Sequence, residues 1–124
     1  MNGGELRIAL LQLRGAGYDR GESLERGSVA CRRAAAEAQA INVDGTRNVL
    51  QLMRELTIQR GVYTSTVAIN SDTHGKLVDE SYRFTGRHIS EYDRTKWLAH
   101  YEVAEPLIAQ GAPIIIVMPG AVYG

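Results

Sequence analysis

Tyr92 and Lys96 stand at positions i and i+4. On a helix that spacing puts both side chains on one face, about one turn apart. An ammonium beside a phenol favours the phenolate and lowers a tyrosine pKa from its usual value of ~10. A tyrosine tuned in this way can exchange a proton with a substrate hydroxyl near neutral pH. Thr64-Ser65-Thr66 closes an apolar, β-branched stretch upstream, and a hydroxyl there could hold the same substrate oxygen. Downstream, Pro119-Gly120-Ala121-Val122-Tyr123-Gly124 follows a second apolar run. A Tyr-x-x-x-Lys pair alone also arises as an ordinary exposed helix pair, so the order of the three features carries the reading.

These residues need elements to hold them. Asp44 is placed to cap a helix whose apolar positions Val49, Leu50, Met53 and Leu56 follow the i, i+3, i+4 rule of one buried face, with Gly61 as its stop. Val62 to Ile69 is β-branched and aromatic and reads as a strand running into a turn. Asn70 to Ser90 is polar, with Gly75 and Gly86, and reads as a long loop, of a length that is usually functional or disordered. Ser90 with Asp93 three residues on is a capping start for a helix reaching about Gln110, which Pro106 should bend or interrupt. Ile114 to Met118 is a continuous apolar run, the pattern of a strand buried on both faces in a parallel sheet. Helix, strand, loop, helix, strand implies an α/β fold with parallel pairing.

The motifs in this order resemble the extended short-chain dehydrogenase/reductase family, the NAD(P)-dependent epimerases, dehydratases and reductases. The matching blocks are Asn42-Val43-Asp44-Gly45-Thr46-Arg47-Asn48-Val49-Leu50, then Val62 to Thr66, Val78-Asp79-Glu80, Tyr92 to Lys96, and Met118 to Gly124. The resemblance covers residues 41–124 and implies a partial Rossmann-like domain, a doubly wound parallel sheet incomplete at both ends. It implies an oxidoreductase that moves hydride between nicotinamide and a hydroxyl or carbonyl substrate of sugar-nucleotide, steroid or flavonol type. Tyr92 then matches the catalytic acid/base, and Lys96 the lysine that binds the nicotinamide ribose and depresses the tyrosine pKa. Thr66 matches the residue that holds the substrate oxygen, with Ser65 as the alternate if the register differs by one. Thr64 and Ser65 would lie along the nicotinamide, Pro119, Gly120 and Val122 would pack against its ring, and Asn42 would open the helix lining the cofactor cleft. The cofactor is NAD or NADP, since the residue that would choose between them is not among the matching blocks.

Residues 1–40 depart from the family pattern. They are rich in Gly, Arg and Ala and hold one apolar run, Leu6 to Leu13, then Gly15-Ala16-Gly17-Tyr18-Asp19-Arg20-Gly21 and an Ala-rich helical segment, Val29 to Ala40, with Ser28 as cap. The glycine spacing is too close to Asn42 for a pyrophosphate-binding turn, because two or more βα units of roughly 30 residues belong between them. Residues 1–40 thus read as a divergent segment and 41–124 as the central part of the NAD(P)-binding domain. A chain so composed is expected to be weakly active or inactive alone. The rival expectation is a non-catalytic remnant domain acting only through self-association or partner binding, with a possible homodimer through the Tyr92–Ile108 helix, whose Trp97, Tyr101, Ala104 and Ile108 stripe reads as a core face or a subunit contact.

Composition excludes other classes. The 124 residues are 44% hydrophobic with zero formal net charge, which suits one small folded domain rather than a disordered chain. Fourteen basic and fourteen acidic residues are spread along it, leaving no footprint for nucleic acid or an anionic membrane. No apolar run approaches the ~18 residues of a membrane span. Cys31 is the single cysteine, and its only basic neighbours are Arg32 and Arg33, so no disulfide framework or reactive thiol is expected, and a reducing, cytoplasmic setting is the default. His74, His88 and His100 sit apart, so no metal site is expected, and His100 reads as structural or exposed. Asp79 and Glu80 read as a solvated charge pair rather than a catalytic dyad.

Overall fold

The computed structural model describes residues 27–123. The Leu6–Leu13 run and the Gly15–Gly21 spacing lie outside the described residues. Helix α1 (Gly27–Gln39) passes through a wider π-helical segment (Ala40–Asp44) directly into α2 (Gly45–Glu55). Backbone angles stay helical across both joints, with Gln39 at φ −61° and Gly45 at φ −59°. Asp44 is therefore not an N-cap. It sits within a continuous helical path, and its carboxylate pairs with Arg47 instead, at 2.7 Å. Ser28 likewise falls inside the first turn of α1 rather than before it.

Gly61 does not stop α2. The helix closes at Thr57, which takes the left-handed conformation (φ 52°) while Thr57 N–H donates to the Arg54 carbonyl and Ile58 N–H to the Met53 carbonyl. This is the double-bonded helix end that usually carries glycine. Gly61 instead opens strand β1 (Gly61–Thr64), where a side chain would collide with the Met53 methyl.

Strand β1 is shorter than the β-branched run Val62–Ile69 predicts. After Thr64 the chain leaves the ladder and forms a 3-10 turn (Val67–Asn70), because the Thr66 hydroxyl accepts the Ala68 N–H and caps the turn. The loop that follows leads to α3 (Glu91–Leu98), whose Ser90 hydroxyl accepts the Asp93 N–H as the sequence predicts. A second π segment (Ala99–Ala104) joins α3 to α4 (Glu105–Ala109). Within it the Glu105 N–H reaches back to the His100 carbonyl. Pro106 then lies in the first turn of α4, directly after the π segment. The proline is absorbed by a change of helical pitch ahead of it rather than by a break. Gly111, at φ 89°, ends α4 with Gly111 N–H on the Ile108 carbonyl and Ala112 N–H on the Leu107 carbonyl.

Strand β2 (Ile114–Val117) pairs in parallel with β1, Gly61 opposite Ile114 and Thr64 opposite Val117. Both helical paths pack on one side of this sheet. Val43, Leu50 and Met53 from the first meet Ala99, Val103, Ala104 and Leu107 from the second, over Tyr63 and Ile114. Each large apolar side chain so buried contributes roughly 1.5–3 kcal/mol. The expectation that Ile114–Met118 is covered on both faces does not hold among the described residues. Ile114 is buried, but Ile115 is 65% exposed on the opposite face. The α/β architecture with a parallel pair is that of a partial Rossmann-like domain.

Candidate functional site

Parallel sheets bind ligands beyond the carboxyl ends of their strands. Here those ends are Thr64-Ser65-Thr66 after β1 and Met118-Pro119-Gly120 after β2. Two backbone bonds hold them side by side: Ser65 N–H donates to the Val117 carbonyl at 2.8 Å and Val67 N–H to the Pro119 carbonyl at 3.2 Å. Around Gly120 there is open space, with nothing near the position of an added Cβ. Val122 is 84% exposed and makes no part of this packed end.

Helix α3 brings its Tyr92–Lys96 face to the same place. The Lys96 Nζ donates to the Thr64 carbonyl at 3.2 Å and lies over the Tyr63 ring, 5.3 Å from its centre. Lys96 is only 5% exposed, and burial pushes its ammonium pKa below the usual lysine value. Tyr92, one turn earlier and at the first turn of the helix, is 41% exposed. Lysine has three N–H donors, and one is committed to Thr64. A buried cation with donors to spare, next to an accessible phenol, is suited to a hydroxylated ligand entering from the open side.

Beneath Lys96 lies Tyr63, 2% exposed, with its phenol pushed up to about 12, first by burial. Its hydroxyl stands beside that of Thr46 without hydrogen-bond geometry, while Thr46 donates its own proton to the Asn42 carbonyl at 2.6 Å. Asn42 sits in the first π segment and is buried. Its amide Nδ2 donates to the Thr95 hydroxyl at 3.0 Å, and Thr95 donates onward to the Glu91 carbonyl at 2.8 Å. Asn42 thus locks the first helical path to α3 next to Lys96. Its amide nitrogen faces a neighbouring helix rather than an open cleft.

Ser65 is buried too, and its Oγ lies 2.8 Å from His100 Nδ1. The Ser65 hydroxyl is spent on the interior, the Thr66 hydroxyl caps the 3-10 turn, and the turn packs against α3. His100, which the sequence reads as structural or exposed, and Tyr63, which it gives no role, both stand against the site residues. The signal for His100 was present, since Tyr92, Lys96 and His100 follow one i, i+4, i+8 line along a helix. The signal for Tyr63 was strand alternation, which sends Tyr63 and Ser65 to the same face.

The Asn70–Ser90 loop is strapped over the second helical path. Arg83 pairs with Glu105 at 2.8 Å and stacks 4.2 Å from the Tyr101 ring centre. Tyr101 Oη donates to the Tyr82 carbonyl, and the Ser71 hydroxyl accepts the Ile89 N–H. Tyr101 and Ala104 of the apolar stripe are buried within this chain itself. Asp79 accepts from the Ser81 N–H and hydroxyl, which holds its carboxyl below the usual range as a turn-forming group.

Residues 27–124 match the NAD-binding family described as male sterility protein. A putative dihydroflavonol 4-reductase of Synechocystis sp. is 40% identical over 85 residues, covering 67% of this chain and 24% of the relative. The chain belongs to the extended short-chain dehydrogenase/reductase family. A 4-hydroxy-2-methyl-3-oxo-4-farnesyl-3,4-dihydroquinoline-1-oxide ketoreductase of Stigmatella aurantiaca is 32% identical over 120 residues, covering 83% of this chain and 34% of the relative. A 3beta-hydroxysteroid-dehydrogenase/decarboxylase of Arabidopsis thaliana is 29% identical over 87 residues, covering 68% and 20% respectively. The chain therefore spans between a fifth and about a third of the length of these curated relatives. No solved structure matches. The family match begins at the start of α1, so it takes in helical residues upstream of position 41. No helix among the described residues is long and apolar enough to cross a membrane.

Proposed function

We propose that this chain carries the nicotinamide-proximal half of an NAD(P)-dependent oxidoreductase site, with Tyr92 as acid/base, Lys96 as ribose anchor and Thr66 as holder of the substrate oxygen. The observation that carries the reading is the seating of Lys96 Nζ on the Thr64 carbonyl. It brings the Tyr92–Lys96 face of α3 onto the carboxyl end of β1. The residues fit a nicotinamide ribose: a buried ammonium with unspent donors, an accessible phenol one turn away, and open space at Gly120. Bound NAD(P) supplies the hydride acceptor or donor. Tyr92 Oη would give or take the proton of the substrate oxygen, with the Lys96 ammonium held one helical turn away on the Thr64 carbonyl. Thr66 would hold the substrate oxygen, and the Pro119–Gly120 turn would pack against the nicotinamide ring. Asn42 would act through Thr95, keeping α3 in place, rather than by its amide nitrogen.

The three relatives are named as a dihydroflavonol 4-reductase, a quinoline-oxide ketoreductase and a hydroxysteroid dehydrogenase/decarboxylase. A secondary alcohol or ketone on a rigid ring system is accordingly the substrate class that we assign, ahead of a sugar nucleotide. Titration of the purified chain with NADH and with NADPH, followed by reduced-nicotinamide fluorescence, tests the reading. Saturable binding that disappears in Lys96→Ala supports it. A folded chain that binds neither cofactor at millimolar concentration overturns it.

A further inference from the structure

Ser65 lies between the two residues that the proposed site depends on. The Thr64 carbonyl holds Lys96 Nζ, and Thr66 carries the hydroxyl assigned to the substrate oxygen. One side of Ser65 is tied to β2 through its N–H on the Val117 carbonyl. The other is tied to the second helical path through Oγ and His100 Nδ1, at 2.8 Å with both residues about 95% buried. Lys96 and His100 stand one turn apart and grip adjacent residues of the same strand end. We infer that His100 is a positioning residue which, through the Ser65 hydroxyl, sets the orientation of the Thr64–Thr66 segment and so the register of Lys96 and Thr66 in the proposed site. This inference rests on the oxidoreductase reading above for its functional consequence.

The surroundings favour one state of the ring. Lys96 faces it from its own helix, Arg83 from the strapped loop, and Glu105 Oε1 lies 3.9 Å from its Nε2. Burial, with the two cations, holds the imidazole pKa down to about 4, so the ring is neutral at neutral pH. The carboxylate favours the proton on Nε2, which leaves Nδ1 to accept the Ser65 O–H. A buried neutral hydrogen bond adds little net stability, since water would have satisfied the same groups in the unfolded chain. What it adds is direction. An apolar pair at these positions would lack that direction and leave the strand end held by its backbone bonds to β2 and by Lys96 alone.

The test uses the full chain with His100→Phe, which keeps a ring, and His100→Asn, whose amide reaches the Nδ1 position. Amide hydrogen exchange is followed at Ser65 and Val67, with Gly61 at the far end of the strand as internal reference. His100→Phe is expected to speed exchange at Ser65 and Val67 about tenfold relative to Gly61, as for the loss of one hydrogen bond, while His100→Asn stays near the parent. Equal acceleration at all three amides, or none, overturns the inference. If His100→Phe does not fold, Ser65→Ala carries the same expectation and the same refutation. This readout needs no cofactor, so a chain that fails to bind nicotinamide refutes the oxidoreductase reading without deciding the role of His100. Where the parent binds NADH or NADPH, His100→Phe should weaken binding about tenfold and His100→Asn should restore it. Parent-like binding by His100→Phe overturns the inference.

Discussion

Removing either partner of the Asn42–Thr95 hydrogen bond should destabilise the chain unequally, and the inequality can be worked from the structure. Both residues are buried, and they join segments 53 residues apart in sequence. In Thr95→Val the shape is kept, but Asn42 Nδ2 is left as a buried donor without a partner. That desolvation is worth about 2 kcal/mol. The Glu91 carbonyl loses the Thr95 hydroxyl but keeps its place in the helix. In Asn42→Ala the Thr95 hydroxyl still donates to Glu91, so only one accepted bond is lost, and the higher helix propensity of alanine returns about 0.5 kcal/mol. A loss near 1 kcal/mol is expected. The double variant should fall about 1 kcal/mol short of the sum, because the second change removes the group that the first left unpaired. Urea unfolding measures all three. With a slope of about 1 kcal/mol per molar for a domain of this size, the midpoints should drop by about 2 M for Thr95→Val and about 1 M for Asn42→Ala, at unchanged slope. Additive losses, or Asn42→Ala the more damaging of the two, would refute the pairing and its cost.

Three further outcomes are expected. Acid should destabilise the chain through His100. The unfolded chain takes up this proton near pH 6.5 and the folded chain only near pH 4, so stability falls as pH drops through that window. The His100→Asn variant should lose about 2 kcal/mol less than the parent between pH 7 and pH 4, after allowance for screening, by urea midpoints at each pH. Lys96→Met should leave the fold as stable as the parent or up to about 1 kcal/mol more stable, since it removes a buried ammonium whose pKa burial has lowered, while abolishing nicotinamide binding. Loss of stability above 1 kcal/mol would show that the cation is needed for packing. Thr57→Gly should raise thermal stability by about 0.5–1 kcal/mol, because Thr57 is a β-branched residue at φ 52°. A lowered melting temperature would mean that the Thr57 side chain contributes more than its strain.

The local patterns were legible where a residue type has one dominant use. Ser90 before Asp93 could be read as a cap, and the apolar spacing of Leu50 and Met53 as a buried face, because both depend on neighbours within a turn. The stop of α2 was misplaced to Gly61 because glycine is the usual left-handed residue, yet Thr57 takes that conformation and Gly61 is needed where the strand meets Met53. The strand after Gly61 was overextended for a similar reason. Its β propensity continues to Ile69, but the side-chain cap of Thr66 redirects the backbone two residues after the strand ends. Neither π segment has a signature in the sequence. The first contains the buried Asn42, and the second ends directly before Glu105-Pro106.

By itself the sequence determined the family and the chemical inventory: a tyrosine and a lysine one helical turn apart, a hydroxyl cluster at a strand end and a Pro-Gly turn after another. Spacing along one helix or one strand is a local property, set by backbone periodicity. Which of the inventory faces the open end of the sheet was decided only by the tertiary structure. The Thr64 carbonyl takes one Lys96 donor, Thr95 takes the Asn42 amide, and His100 takes the Ser65 hydroxyl, each across 32 to 53 residues of chain. Buried polar groups must find partners wherever packing provides them. That requirement sorts the candidate residues into those that face the open end of the sheet and those that hold it in place.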